Sequence, residues 1–333
     1  MCRRVRRIAL AGWVWQGVRV ATNEAVTGPA VPDDAAAGRR DRAGAATGGA
    51  AAGATADERA TPAWARQRIA VWRLAAAALV CGSAILMFAI HVRPLAYLPL
   101  VLGVALGWAV DRVLGRDLLV IAAGMGIVST IPLAADLTDL GMLQFTIALS
   151  LAVIIPFVLS RHVNGDDVIR FPWRTGKRWT RTQWMYLLFV VGAGYLVLPF
   201  YFLSSGAYLN WPTVIEGQDI ARLFVGVNAV GTWDELFFIC TVFALLRRHF
   251  GLWTANVLQA MVFVSFLWEL GYREWGPLLT IPFALIQGFT FNLTKSLTYV
   301  LVVHLLFDAV VFMVLVHAHT PELFDFFVTA PAR

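Results

Sequence analysis

Five side chains able to give or take a proton stand inside long apolar runs near the C-terminal end of this sequence. They are Asp234 and Glu235 in VGTWDELFFI, Glu269 in VSFLWEL, and His304 and Asp308 in VVHLLFD. An ionisable group inside a bilayer costs roughly 2.5–3.5 kcal/mol on insertion scales, so its default reading is a functional site with partners. His304 and Asp308 are four apart and share a helix face, one turn from each other. Asp234 and Glu235 are adjacent and diverge by about 100° around a helix, so at most one points straight along a site axis. Carboxylates gathered this closely repel, and at least one must be protonated, paired with His304 or bound to a cation. The chemistry on offer is carboxylate activation of a water, with an imidazole or a protonated acid stabilising an oxyanion. The plainer alternative is a buried polar network that only fixes helix packing.

The elements that must position these residues are membrane helices. Hydrophobic residues make up 59% of the 333 and charged ones only 14%, against about a quarter charged in ordinary globular chains. The apolar runs are continuous rather than alternating, which excludes a β-barrel, and they reach the roughly 20 residues a bilayer requires. The expected fold is therefore all-α, a polytopic transmembrane bundle of about nine spans. They fall near 69–91, 95–111, 118–135, 142–160, 183–205, 219–246, 252–271, 276–293 and 296–318. Arg112 and Arg116, Arg161 through Arg181, Arg247 and Arg248, and Lys295 all fall on alternate turns. This positive-inside pattern predicts a multi-pass cell-membrane protein with its N-terminus in the cytoplasm and its C-terminus outside. Gly103 and Gly107 form a small-xxx-small pair suited to close helix packing, and Arg222 reads as a residue that snorkels to the surface.

The net charge of +6 does not signal nucleic acid, because residues 1–68 hold 11 Arg against 6 acidic residues and so carry most of it. Residues 1–66 form an Ala/Gly/Arg-rich tail expected to be disordered. Residues 67–205 supply N-terminal transmembrane helices, 206–320 the core that bears the site, and 321–333 a short C-terminal tail. Cys2, Cys81 and Cys240 lie too far apart for a zinc or redox motif. His91, His162, His249, His317 and His319 are expected at interfaces or in solvent.

Residues 219–318 resemble the CPBP family (CAAX protease and bacteriocin-processing, also called ABI) of intramembrane endopeptidases, whose pattern is EExxxR, then FxxxH, then HxxxN or HxxxD on successive helices. DELFFI stands for the first motif and HLLFD for the third. Asp234 takes the place of the first Glu, one methylene shorter, Glu235 matches the second, and Ile239 replaces the Arg. Ser265 and Glu269 are aligned with FxxxH, so a carboxylate replaces its histidine, and His304 and Asp308 match the third motif. The resemblance implies a peptidase that hydrolyses a peptide bond of a membrane-associated substrate. Asp234 or Glu235 would act as general base, His304 with Asp308 as the oxyanion site, and Glu269 as second base or leaving-group acid. It implies no cofactor; a divalent cation held by the same five residues is the lower-ranked alternative, since no HExxH-like motif supports it. The expected partners are membrane lipid and a peptide or protein substrate, not nucleic acid. Two other readings compete: a catalytically silent relative that binds a membrane partner, and a proton- or cation-coupled carrier.

Overall fold

The computed structural model describes residues 63–176 and 178–331. The expected disordered tail lies outside the described residues, except for Ala63–Arg66, which open the first helix. The described residues form helices and no strands. These are α1 (Ala63–Ala84, continued by a π turn to Ala89), α2 (Arg93–Val110), α3 (Arg112–Val128) and α4 (Asp139–Val158, with a π turn to Val163). They continue with α5 (Arg181–Ser205), α6 (Gly217–Asp234), a π stretch (Glu235–Phe243) and α7 (Ala244–His249). The last three are α8 (Leu252–Leu270), α9 (Pro277–Thr294) and α10 (Leu297–His319).

α6, the π stretch and α7 form one continuous rod, so nine rods run alternately between two polar ends. At one end Arg73 pairs with Asp111 at 2.8 Å, while His249 and Arg248 meet Asp117 at 2.6 and 3.6 Å. Arg248 also reaches Asp166 at 2.8 Å. This is the arginine-rich end, which also carries the 161–181 loop and Lys295. At the opposite, acidic end Arg93 pairs with Glu269 and Arg222 with Asp139. Arg222 also donates to the Leu137 carbonyl at 3.0 Å, so it ties two helices together instead of reaching freely into solvent.

The protein is an all-α polytopic membrane bundle, and among the described residues length and apolarity alone qualify seven of the nine rods as candidate membrane spans. α3 and α8 are the exceptions. α3 is short and opens with Arg112, Arg116 and Asp117; Asp111 starts it early by capping the Val113 and Leu114 amides. α8 is less apolar because Asn256, Gln259, Ser265 and Glu269 face protein, not lipid, and most of the helix is buried.

Local chemistry explains the other joints. Thr180 and Gln183 close a capping box that starts α5. Lys295, in the left-handed region, turns the chain from α9 into α10. Burial holds the Lys295 ammonium below its ordinary pKa, with nearby Arg247 adding to the effect. Gly103 does what the small-xxx-small spacing predicts. A Cβ there would lie 2.7 Å from the Val80 side chain and 2.8 Å from the Ala76 carbonyl, so only glycine lets α2 pack so closely on α1. Cys81 and Cys240 are buried free thiols.

Candidate active site

Asp234 ends α6 and Glu235 begins the π stretch. π turns are rare and are found disproportionately at functional sites. An aromatic stack anchors this stretch: Phe238 lies 4.4 Å from Phe263 of α8, and Trp233 lies 5.0 Å from both Phe237 and Phe266. With α6 fixed on α8, the paired carboxylates meet α10.

His304 sits between them. Its Nδ1 lies 2.8 Å from Glu235 Oε1, and its Nε2 lies 3.7 Å from Asp234 Oδ2 and 3.8 Å from Asp308 Oδ1. The two neighbours on α6 therefore address opposite nitrogens of one imidazole, where the sequence expectation sent one of them sideways. Phe283 of α9 braces the ring edge-on at 4.9 Å. Asp308 comes close because Gly231, one turn before Glu235, has no side chain; a methyl group there would collide with the Asp308 carboxylate.

All four groups are buried, Glu235 completely. Among the described residues no Lys or Arg pairs with any of them, so three carboxylates share one imidazole. Asp234 Oδ1, Glu235 Oε2 and Asp308 Oδ2 have no protein partner. Among the described residues no group of three or more His, Cys, Asp or Glu is arranged to hold a metal ion.

A cavity of about 420 Å³ opens from Asp234, His304 and Asp308. Its walls come from α4, α6, α8 and α10. They are mostly apolar, including Leu149, Val153, Leu223, Val230, Leu267 and Leu270. Tyr272 closes one side as a neutral phenol, since burial pushes its pKa well above the ordinary value. Glu235 does not line the cavity but stands behind His304.

The structure brings together four of the five expected site residues. Glu269 is engaged elsewhere: Oε1 accepts from Arg93 at 3.0 Å and from the Leu133 amide at 3.4 Å, with His91 at 3.5 Å. Ser265 bonds back to the Met261 carbonyl. α8 presents Leu267 and Leu270 to the cavity, so the FxxxH alignment with Ser265 and Glu269 does not correspond to its cavity face.

Sequence reasoning missed Gln287. This buried α9 amide donates to Glu235 Oε1 at 2.6 Å and to the Val300 carbonyl at 3.2 Å. The signal was an amide inside FALIQGFTF, overlooked because only ionisable groups were weighed. His249 also departs from expectation: it is not solvated but buried against Asp117, itself inside α3 and not in a loop.

Residues 216–310 match the family model for type II CAAX prenyl endopeptidase, Rce1-like. Searches of curated proteins and of solved structures return no match. The matched segment contains α6 through His304 and Asp308 and so spans the whole four-residue cluster. Residues 216–310 thus form an Rce1-like domain, consistent with a member of the CPBP family.

Proposed function

We propose that this protein is an intramembrane peptidase that hydrolyses a peptide bond of a membrane-associated substrate, with Asp234 and His304 at the reacting centre. The observation that carries the reading is the His304 imidazole held between Glu235 and Asp234 at the floor of an apolar cavity. Glu235 accepts the Nδ1 proton, which fixes the ring orientation and leaves Nε2 facing the cavity. Gln287 donates to the same oxygen and so keeps Glu235 turned toward the ring. Gln287 is a positioning residue, as is Gly231.

A water placed between Asp234 Oδ2 and His304 Nε2 is within reach of both. Asp234 takes its proton as the oxygen attacks the substrate carbonyl. The carbonyl oxygen becomes an oxyanion next to His304 and Asp308; an N–H or O–H on either group would hydrogen-bond to it while keeping its proton, until the C–N bond breaks and the C=O re-forms. The proton held on Asp234 passes to the departing amine, so atoms and charge balance without another participant. The apolar walls suit the lipid-modified or apolar part of a substrate, in keeping with the prenyl endopeptidase description of the matched family.

One observation favours a second reading, a non-catalytic relative that binds such a substrate. Where the family pattern has a histidine, the cavity face of α8 offers only Leu267 and Leu270. One experiment separates the two: purified protein in liposomes with an internally quenched, farnesylated peptide ending in Cys-aliphatic-aliphatic-X. The peptidase reading expects cleavage by the native chain and a fall of about 100-fold or more in His304→Ala and Glu235→Gln, both still folded. Binding of the peptide without cleavage would establish the second reading.

A further inference from the structure

Among the described residues the cavity runs from the chemical site to one end of the bundle, with the exposed Ile154 of α4 and Val225 of α6 along its lipid-facing flank. Beyond the membrane-embedded walls, the cavity is lined by Ala135, Asp136, Leu137, Trp211 and Tyr272, all in connections at the acidic end. A second, smaller cavity on the other side of His304 and Asp308 also touches Tyr272, with Leu279 and Thr280 from the first turns of α9 at that end. Toward the arginine-rich end the path is closed. Glu235 and Gln287 are followed by a fully buried cluster of Cys240, Leu297 and Val300, sealed by Phe171 and Phe291.

The two ends differ in charge. The arginine-rich end exposes Arg174 and Arg178 in one connection and Arg181 at the start of α5, beside Arg170 and Arg248, which pair with Asp167 and Asp166. At the acidic end Arg93 and Arg222 are neutralised by Glu269 and Asp139, and Asp136, Glu216 and Asp219 lie beside the cavity mouth and the start of α6. Lys and Arg are retained on the cytoplasmic side of membrane proteins, which places the cavity mouth on the other side.

We infer that the site takes its substrate from the non-cytoplasmic face of the membrane, as a peptide segment with an apolar anchor and neutral or basic flanking residues. The inference rests on the peptidase reading for what happens to the segment, but not for the route. A peptide displayed in the cytoplasm meets the closed end; one presented outside meets an acidic mouth that repels acidic flanks and leads to His304.

The test uses the full chain in cells, with Cys2→Ser removing a thiol that is outside the described residues. Leu137→Cys at the mouth and Val230→Cys in the wall are compared with Arg178→Cys at the closed end. The probe is a membrane-impermeant trimethylammonium thiosulfonate applied to intact spheroplasts. Leu137→Cys and Val230→Cys should react at least tenfold faster than Arg178→Cys, which should react only after permeabilisation. Labelling of Arg178→Cys in intact cells, with both cavity positions silent, would overturn the inference. The quenched peptide supplied to right-side-out and inside-out vesicles gives the second readout, with cleavage expected only in the former. External labelling without cleavage in either orientation would leave the route standing and defeat the peptidase reading, whereas cleavage confined to inside-out vesicles would overturn the route alone.

Discussion

Two buried histidine–carboxylate clusters stand in this bundle, and they differ in what surrounds them. At the arginine-rich end, Asp117 receives His249 at 2.6 Å and Arg248 at 3.6 Å, and Arg73 touches both His249 and Asp111. Each carboxylate there has a cation. In the cavity, Asp234, Glu235 and Asp308 share His304 and no Lys or Arg. The first cluster joins α1, α3 and α7. The second opens onto about 420 Å³ of apolar space. A buried acid is thus no sign of chemistry by itself; a balanced cluster holds helices together, while an unbalanced one keeps reactive groups poised at a cost in stability. Glu269, paired with Arg93, belongs to the balanced kind.

Breaking each cluster should have opposite effects on stability. Asp117→Ala takes the carboxylate from the buried His249 and leaves Arg248 with Asp166 alone, and should cost about 2–3 kcal/mol. That loss would be read as a lower Tm, with unchanged turnover per folded molecule. Glu269→Gln should cost about 2 kcal/mol through Arg93 and the Leu133 amide, with peptide cleavage kept within about twofold of native. A loss of cleavage in that variant beyond its loss of folded protein would return Glu269 to the site. Asp308→Asn removes one of three mutually repelling carboxylates and should stabilise the protein by about 1 kcal/mol, while cleavage falls. A lower Tm for Asp308→Asn would show that the cavity cluster is as balanced as the other.

Much of this contrast was legible in the residues. The run boundaries gave the nine rods, and the i, i+4 spacing put His304 and Asp308 on one face, as found. Glu269 was misplaced because its position near the end of α8 says nothing about Arg93, which arrives from 176 residues away. The expected third span begins near 118 because hydropathy starts a helix where the charges stop, whereas the chain starts it at the Asp111 cap and so includes Asp117. α8 is less apolar than the candidate spans because it borders protein and so has less need of apolar side chains than a lipid-facing helix. Gln287 stands out as an amide in an apolar run, but no periodicity reveals which carboxylate it meets across helices.

The central claim is that the unbalanced cluster activates water at Asp234. It is tested most directly by the rate of peptide cleavage in liposomes, native chain against Asp234→Asn, with Tm measured on the same samples. The account predicts cleavage by the native chain and a fall of about 100-fold or more in the variant, with Tm equal or higher. Equal cleavage rates, with Asp234→Asn fully folded, would contradict it.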